Sequence, residues 1–194
     1  MTLPVATKNN MLGGQTFTHA SAHTDFPGST GANEVTGGSP AYAQKAITIN
    51  AASGGIRALN AAVAFDVPAC TVKWFGFWNG STFVAAAPNG GATPKNFMSI
   101  ASTDVVYSAG HGWSDTQKIT FYNGTPPGGL TEGVTYFVRD ATTDTFKVAA
   151  TSGGAAIDLT SAPSFGCVVC AITENVYASQ DTHTLSSASF VVPD

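Results

Sequence analysis

His19 and His23, in the stretch "HASAH", are four residues apart, and that spacing brings two imidazoles together on one side of a helix or strand. A zinc-protease version of the pattern needs a glutamate directly after the first histidine as general base, and Ala20 stands there instead. A weak metal pair is conceivable, but structural, hydrogen-bonded histidines fit the residues better. Cys167 and Cys170 form a CxxC in "FGCVVCAI". Val168 and Val169 favour a strand, where residues three apart point to opposite faces, so the two sulfurs cannot close on one metal. Buried free thiols are the expectation, with no metal and no essential disulfide. His111 sits in a turn between Gly110 and Gly112, and His183 in a polar strand; neither has a carboxylate or thiol companion nearby in sequence.

Acids are scarce, with Asp and Glu together numbering 12. Asp25, Asp115, Asp140 and Asp144 occupy turn positions, where an aspartate commonly caps its own turn. Sequence alone does not exclude an acid pair assembled by folding, as a glycosidase would need. No GxSxG elbow, P-loop or dinucleotide fingerprint is present. Trp74, Trp78 and Trp113 offer faces on which a sugar could stack; the first two read as core packing. Trp113, in a glycine-flanked turn, reads as an exposed contact, together with His111, Pro126 and Pro127 in the adjoining loops. The residues therefore predict no catalytic, cofactor or metal site.

The elements that must hold these side chains are short strands. Only 10% of the 194 residues are charged, against roughly 25% in an average soluble protein. Glycine is abundant, with 21 residues, and 43% of the chain is hydrophobic with a net charge of -4, a composition unsuited to disorder. Lysines and arginines are scattered, so no stripe exists for nucleic acid. No apolar run approaches the roughly 20 residues that span a bilayer, and the amino terminus lacks the basic-then-apolar order of a signal peptide. A soluble protein made in a cytoplasm is expected. "PVATKNNMLGG" predicts a short helix entered at Pro4 and capped by Gly13 or Gly14.

Strands are predicted in "QTFTHASAHT", "AYAQKAITINAAS", "AVAFDVPA" and "CTVKWFGFWNG", with a hairpin turning at Asn79-Gly80. The texture changes at Pro88. From Asp104 a new series of short strands begins: "DVVYSA", "QKITFYN", "VTYFVRDA", "TFKVAA" and "AAIDLT". "CVVCAITENVYA" and "HTLSSASFVVPD" supply the last strand material.

Two stretches carry a family resemblance. "HTDFPGSTGANEVTGGSPAYAQKAITINAASGG" resembles the front of a family of small tailed-bacteriophage virion proteins described as tail-fibre-like or Gp80-like. The matching positions are His23, Thr24, Asp25, Pro27, Gly28, Gly31, Asn33, Glu34, Tyr42, Lys45 and Ala52 to Gly55, with Phe26 interrupting the family's Asp-Pro. "VKWFGFWNG" and "DTHTLSSASFVV" are similar to that family's later strands. From about Val105 to Thr160 the chain resembles a different cassette, recurrent in phage tail and surface proteins, through "PPGGLTEGVTYFV", "DTFKVAAT" and "GGAAIDLTS".

The expected fold is all-β: an antiparallel β-sandwich with a short N-terminal helix, interrupted by an inserted small β-barrel or meander. Residues 1–95 with 172–194 would form the particle-anchoring sandwich, and residues 100–171 the insert. The resemblances imply a non-enzymatic structural or accessory protein of a tailed-phage virion, assembled in the host bacterial cytoplasm. It would be attached outside the capsid or tail as a decoration, minor tail or tail-fibre protein. Its partners would be the major capsid or tail protein, and further copies of itself in a homo-oligomer. The alternative is a module that binds carbohydrate or another host receptor on the cell surface. No nucleic acid, membrane or cofactor is implied.

Overall fold

The computed structural model describes residues 3–191, and the fold is all-β with one short helix and antiparallel sheets. Met1–Gly91 with Glu174–Asp194 form one compact unit, and Ala92–Thr173 form a second.

In the first unit, helix α1 (Val5–Gly13) starts after Pro4, whose missing N–H costs nothing at a helix start. It ends at Gly14, whose N–H donates to Asn10 O. Leu12 is its one buried residue; Arg57 Nη1 ties the end down by donating to Leu12 O at 3.0 Å. Strands β1 (His19–His23), β2 (Lys45–Ala46), β6 (Trp74–Asn79) and β7 (Thr82–Pro88) form a sheet in the order β2-β1-β6-β7. Between them in sequence come β3 (Ile56–Ala58), β4 (Val63–Val67) and β5 (Cys70–Val72).

The sheet's inner face presents Ala20, Ala22, Phe75 and Phe77 to a core that includes Phe65, Val67 and Val72. Two residues, Gly80 and Ser81, join β6 to β7, and Gly80 at φ 58° meets the positive φ that such a tight turn demands. The turn thus lies one residue later than Asn79-Gly80. "AYAQKAITINAAS" forms only the two-residue β2 and a bridge from Ile49 to Leu59, so its alternation does not yield a full strand. "CTVKWFGFWNG" divides at Lys73 into β5 and β6, which serve different layers.

The second unit contains β8 (Met98–Ile100), β9 (Val105–Tyr107), β10 (Lys118–Tyr122), β11 (Thr135–Arg139), β12 (Thr145–Ala149) and β13 (Val168–Ala171). They run β13-β10-β11-β12-β9-β8 in one antiparallel sheet. Lys95, just before β8, exchanges backbone hydrogen bonds of 2.8 and 3.0 Å with Val169 in β13, so the two ends of the sheet meet and the sheet curls into a small barrel. Val106, Ile119, Phe121, Val138, Phe146, Val148 and Val169 fill it. "AAIDLT" contributes one bridge, Ala149 to Ala156, rather than a strand, and β8 lies ahead of Asp104, where the strand series is expected to begin.

After Thr173 the chain returns to the first unit. β14 (Asn175–Tyr177), β15 (Asp181–Leu185) and β16 (Ser189–Val191) pair in turn with β5, β4 and β3. Asn175 lies opposite Val72, Asp181 opposite Val67, and Val191 opposite Ile56, so the register drifts by no more than one residue along the way. The layer facing the four-stranded sheet is therefore one long, interrupted antiparallel ribbon rather than a second broad sheet.

Candidate functional site

The densest polar constellation lies on the outer face of the four-stranded sheet. Alternation along β1 puts Ser21 and His23 on the face opposite Ala20 and Ala22. Ser21 Oγ is 2.7 Å from His23 Nε2, and Trp78 Nε1 donates to Ser21 Oγ at 2.7 Å. His23 Nδ1 is 2.7 Å from Ala32 O. A carbonyl only accepts, so Nδ1 carries the proton, Nε2 accepts from the serine hydroxyl, and the chain of donors runs from Trp78 through Ser21 to His23. Burial pushes the imidazole down to about 4, with the Ala32 carbonyl pulling the other way, which keeps it neutral as this arrangement requires.

The same polarity prepares a serine nucleophile in hydrolases. Here Ser21 and His23 are both at 0% exposure, and the imidazole is oriented by a main-chain carbonyl rather than a carboxylate. Nothing can reach Oγ.

The pair instead fastens a loop. Residues 24–35 leave β1 and come back to it, with Thr24 N donating to Asn33 O at 2.9 Å and Val35 N to Ala22 O at 3.0 Å. Asn33 Nδ2 donates to Phe26 O, and Phe26 rests on Trp74 at 4.9 Å between ring centroids. Tyr42 Oη accepts from Ala22 N at 2.7 Å, and Gln44 Nε2 donates to Glu34. Gly31, at φ 77°, lies so close to the Trp78 ring that a Cβ would collide with it. Gly76 leaves room for the Ser21–His23 pair, because a Cβ there would come within 2.5 Å of both Oγ and Nε2.

His19 stands apart from His23, with its Nδ1 2.9 Å from Thr18 Oγ1, so the two share no ligand position. Among the described residues no three His, Cys, Asp or Glu side chains gather to hold a metal. His183 faces the inside of the first unit, stacked on Phe75, with Nδ1 2.7 Å from Tyr177 Oη. Its Nε2 is buried without a hydrogen-bond partner among the described residues, and burial lowers its pKa. All three cysteines are free thiols. Burial raises Cys167 to about 11 and Cys170 to about 12, and Cys170 Sγ donates to Ala92 O at 3.3 Å.

The expected contact surface in the second unit is largely interior. His111 is buried, with Nδ1 accepting from Trp113 N at 3.0 Å and its ring against Phe146. Gly110 and Gly112 take φ of 54° and 71°, and these reversals turn the histidine inward. Pro126 and Pro127 are buried as well. Trp113 is half-buried, packed on Phe146, and so keeps only part of the exposure foreseen for it. The carboxylates mostly hold backbone: Asp144 accepts from Gly110 N, Asp115 from Ala141 N and Asp104 from Leu159 N. These bonds tie distant loops, whereas Asp25 accepts from Phe26 N at 2.9 Å and so serves its own turn as expected. Phe165, at 106% relative exposure in "APSFGC", projects fully into solvent. An aromatic between Pro163 and Gly166 in a turn is the signal that could have singled it out.

No family model, curated protein or solved structure matches this chain.

Proposed function

We propose that the protein is a non-enzymatic accessory component of a tailed-phage virion, attached outside the capsid or tail. The observation that carries this reading is what the family-like residues do. His23, Thr24, Asn33, Glu34 and Tyr42 hydrogen-bond to backbone or to neighbouring side chains of one latch, and the histidine at its centre is fully buried. A motif spent on fixing a loop over a sheet suits a protein whose job is to present a surface. In this reading the first unit attaches to major capsid or tail protein, and the second supplies contact loops.

The test is co-sedimentation with intact particles of the encoding phage, followed by separation of heads from tails. The full chain is expected to pellet with one of the two fractions. A variant with residues 92–173 replaced by a short Gly-Ser link, checked for folding by circular dichroism, should still bind. Loss of binding by a folded variant would move the attachment surface to the second unit. Failure of the full chain to bind either fraction would remove the reading.

A second reading, a carbohydrate- or receptor-binding module, draws on Phe165, since an exposed aromatic ring is what stacks on a sugar face. Glycan-array binding that disappears with Phe165→Ala would favour it.

A further inference from the structure

We infer that β7 is an assembly edge, paired antiparallel with β7 of a second copy of this chain about a twofold axis. β7 is the longest described strand, at seven residues, and it ends the order β2-β1-β6-β7. Its ladder runs to β6 alone, and among the described residues no other segment hydrogen-bonds to its backbone. A row of open N–H and C=O groups is a template for another strand, and Ala85–Ala87 beyond the register shift at Val84 continue it in regular pairing with β6.

Monomeric proteins protect such an edge with charge, shortness or coverage. Two other sheet edges carry such protection. The opposite edge, β2, has two residues, one of them Lys45, bonded to Asp66 at 3.2 Å. In the second unit the sheet ends are tied together through Lys95 and Val169. β7 carries no charge and, among the described residues, no covering segment along Thr82–Ala87; what interrupts it is a one-residue bulge at Val84, between Phe83 opposite Trp78 and Ala85 opposite Phe77, and Pro88 at its far end. Between Lys73 and Lys95 the sequence contains no charged residue at all.

Three features select a second copy as the occupant. The neutral edge can meet itself without like-charge repulsion, and it has nothing with which to recruit a charged partner segment. Ala85, Ala86 and Ala87 leave little side-chain bulk to hold two backbones apart. Pairing of β7 onto β2 of another copy would be limited to two residues beside a lysine, so the contact closes as a twofold pair rather than growing head to tail. The two four-stranded sheets then become one continuous sheet across the dimer. The inference is independent of where on a particle the protein is mounted.

Analytical ultracentrifugation of the full chain over a range of concentrations tests it, together with hydrogen exchange of the peptide covering residues 82–88. A reversible dimer is expected, with exchange in that peptide slowing as concentration rises. Val84→Lys places a charge on the edge and should weaken dimerisation at least tenfold. If circular dichroism shows that this variant is misfolded, Thr82→Lys, at the exposed start of the strand, takes its place. A wild-type chain that stays monomeric, a dimer whose 82–88 peptide exchanges freely, a ring of three or more copies, or a dimer indifferent to both lysines would each overturn the proposal.

Discussion

The two units solve the closure of a β-sheet in opposite ways. The second unit is built from near neighbours: β10, β11 and β12 follow one another as a meander, and the first and last segments of the unit meet at Lys95 and Val169. The first unit leaves the ribbon β3–β4–β5 unpaired until the chain has passed through the whole second unit and returned as β14–β16. Closing so long a loop costs entropy before any contact repays it. The difference teaches that the second unit contains all it needs to fold, whereas the first depends on its last eighteen described residues, 174–191.

Truncation after Thr173 breaks this comparison most severely. It removes the partners of β3, β4 and β5 and uncovers Phe65, Val67, Val72 and Phe75, all buried in the intact chain. The first unit should lose its full folding free energy, more than about 5 kcal/mol. The second should survive. Limited proteolysis of the truncated chain is expected to leave one resistant fragment close to residues 92–173, and digestion of that fragment along with the rest would contradict the asymmetry.

Acid should separate the units next. His23 titrates near 4 when folded and near 6.5 when unfolded, so the folded form holds its proton more weakly. Nothing is lost above pH 6.5; as pH falls from there toward 4 the unfolded state takes up a proton that the folded state refuses, and stability declines. The total from His23 is roughly 3 kcal/mol. His183, also lowered by burial, acts in the same direction. Urea unfolding at pH 7.5 and pH 4.5 should show this loss in the first unit. The isolated segment 92–173, whose single histidine is His111, provides the control for carboxylate titration. His23→Gln should flatten the difference; an unchanged pH dependence would show that the histidine is not its source.

Gly76→Ala acts on the same network without changing charge. Its Cβ would sit 2.5 Å from Ser21 Oγ and His23 Nε2, so either the hydrogen bond parts or the sheet shifts. A destabilisation of about 2 kcal/mol is expected, in the range of overpacking a tight site, with β6 otherwise able to accept alanine. Chemical denaturation of the full chain would measure it, and a neutral result would mean the pair has slack that the geometry does not suggest.

The sequence made some of this legible. Apolar residues on both faces of "WFGFW" implied a strand buried on two sides, and β6 is that strand, covered by the core on one face and the 24–35 loop on the other. The turn glycines announced the β6–β7 hairpin to within one residue. What stayed hidden were long-range relations. No local pattern says that "DTHTL" will lie beside "VAFDV", because pairing between distant strands is chosen by the core they jointly cover. The inward turn of His111 was hidden for a related reason. Flanking glycines suggest an exposed loop, yet their positive φ values also allow the loop to fold its histidine back against Phe146. Phe165 is illegible as a surface residue because an aromatic side chain ordinarily lies inside.

Trp113 and Phe165 give the finest form of the comparison, now within the second unit. Trp113 packs on Phe146 and His111, with ring centroids 5.5 and 5.4 Å away, so it belongs to the barrel's wall. Phe165 has no ring neighbour among the described residues and is fully exposed. Trp113→Ala should therefore cost about 1–2 kcal/mol of stability in the 92–173 segment through lost contact area. Phe165→Ala should change stability by less than about 0.5 kcal/mol, as truncation of a fully solvated side chain does. If Phe165 is there for contact, its removal should be silent in unfolding experiments and visible in binding to particles or cell surfaces. Thermal unfolding and surface binding of both variants, measured side by side, distinguish the two roles. A Phe165→Ala protein that unfolds earlier would show that the ring packs somewhere in solution, and it would then take its place beside Trp113 as part of the wall.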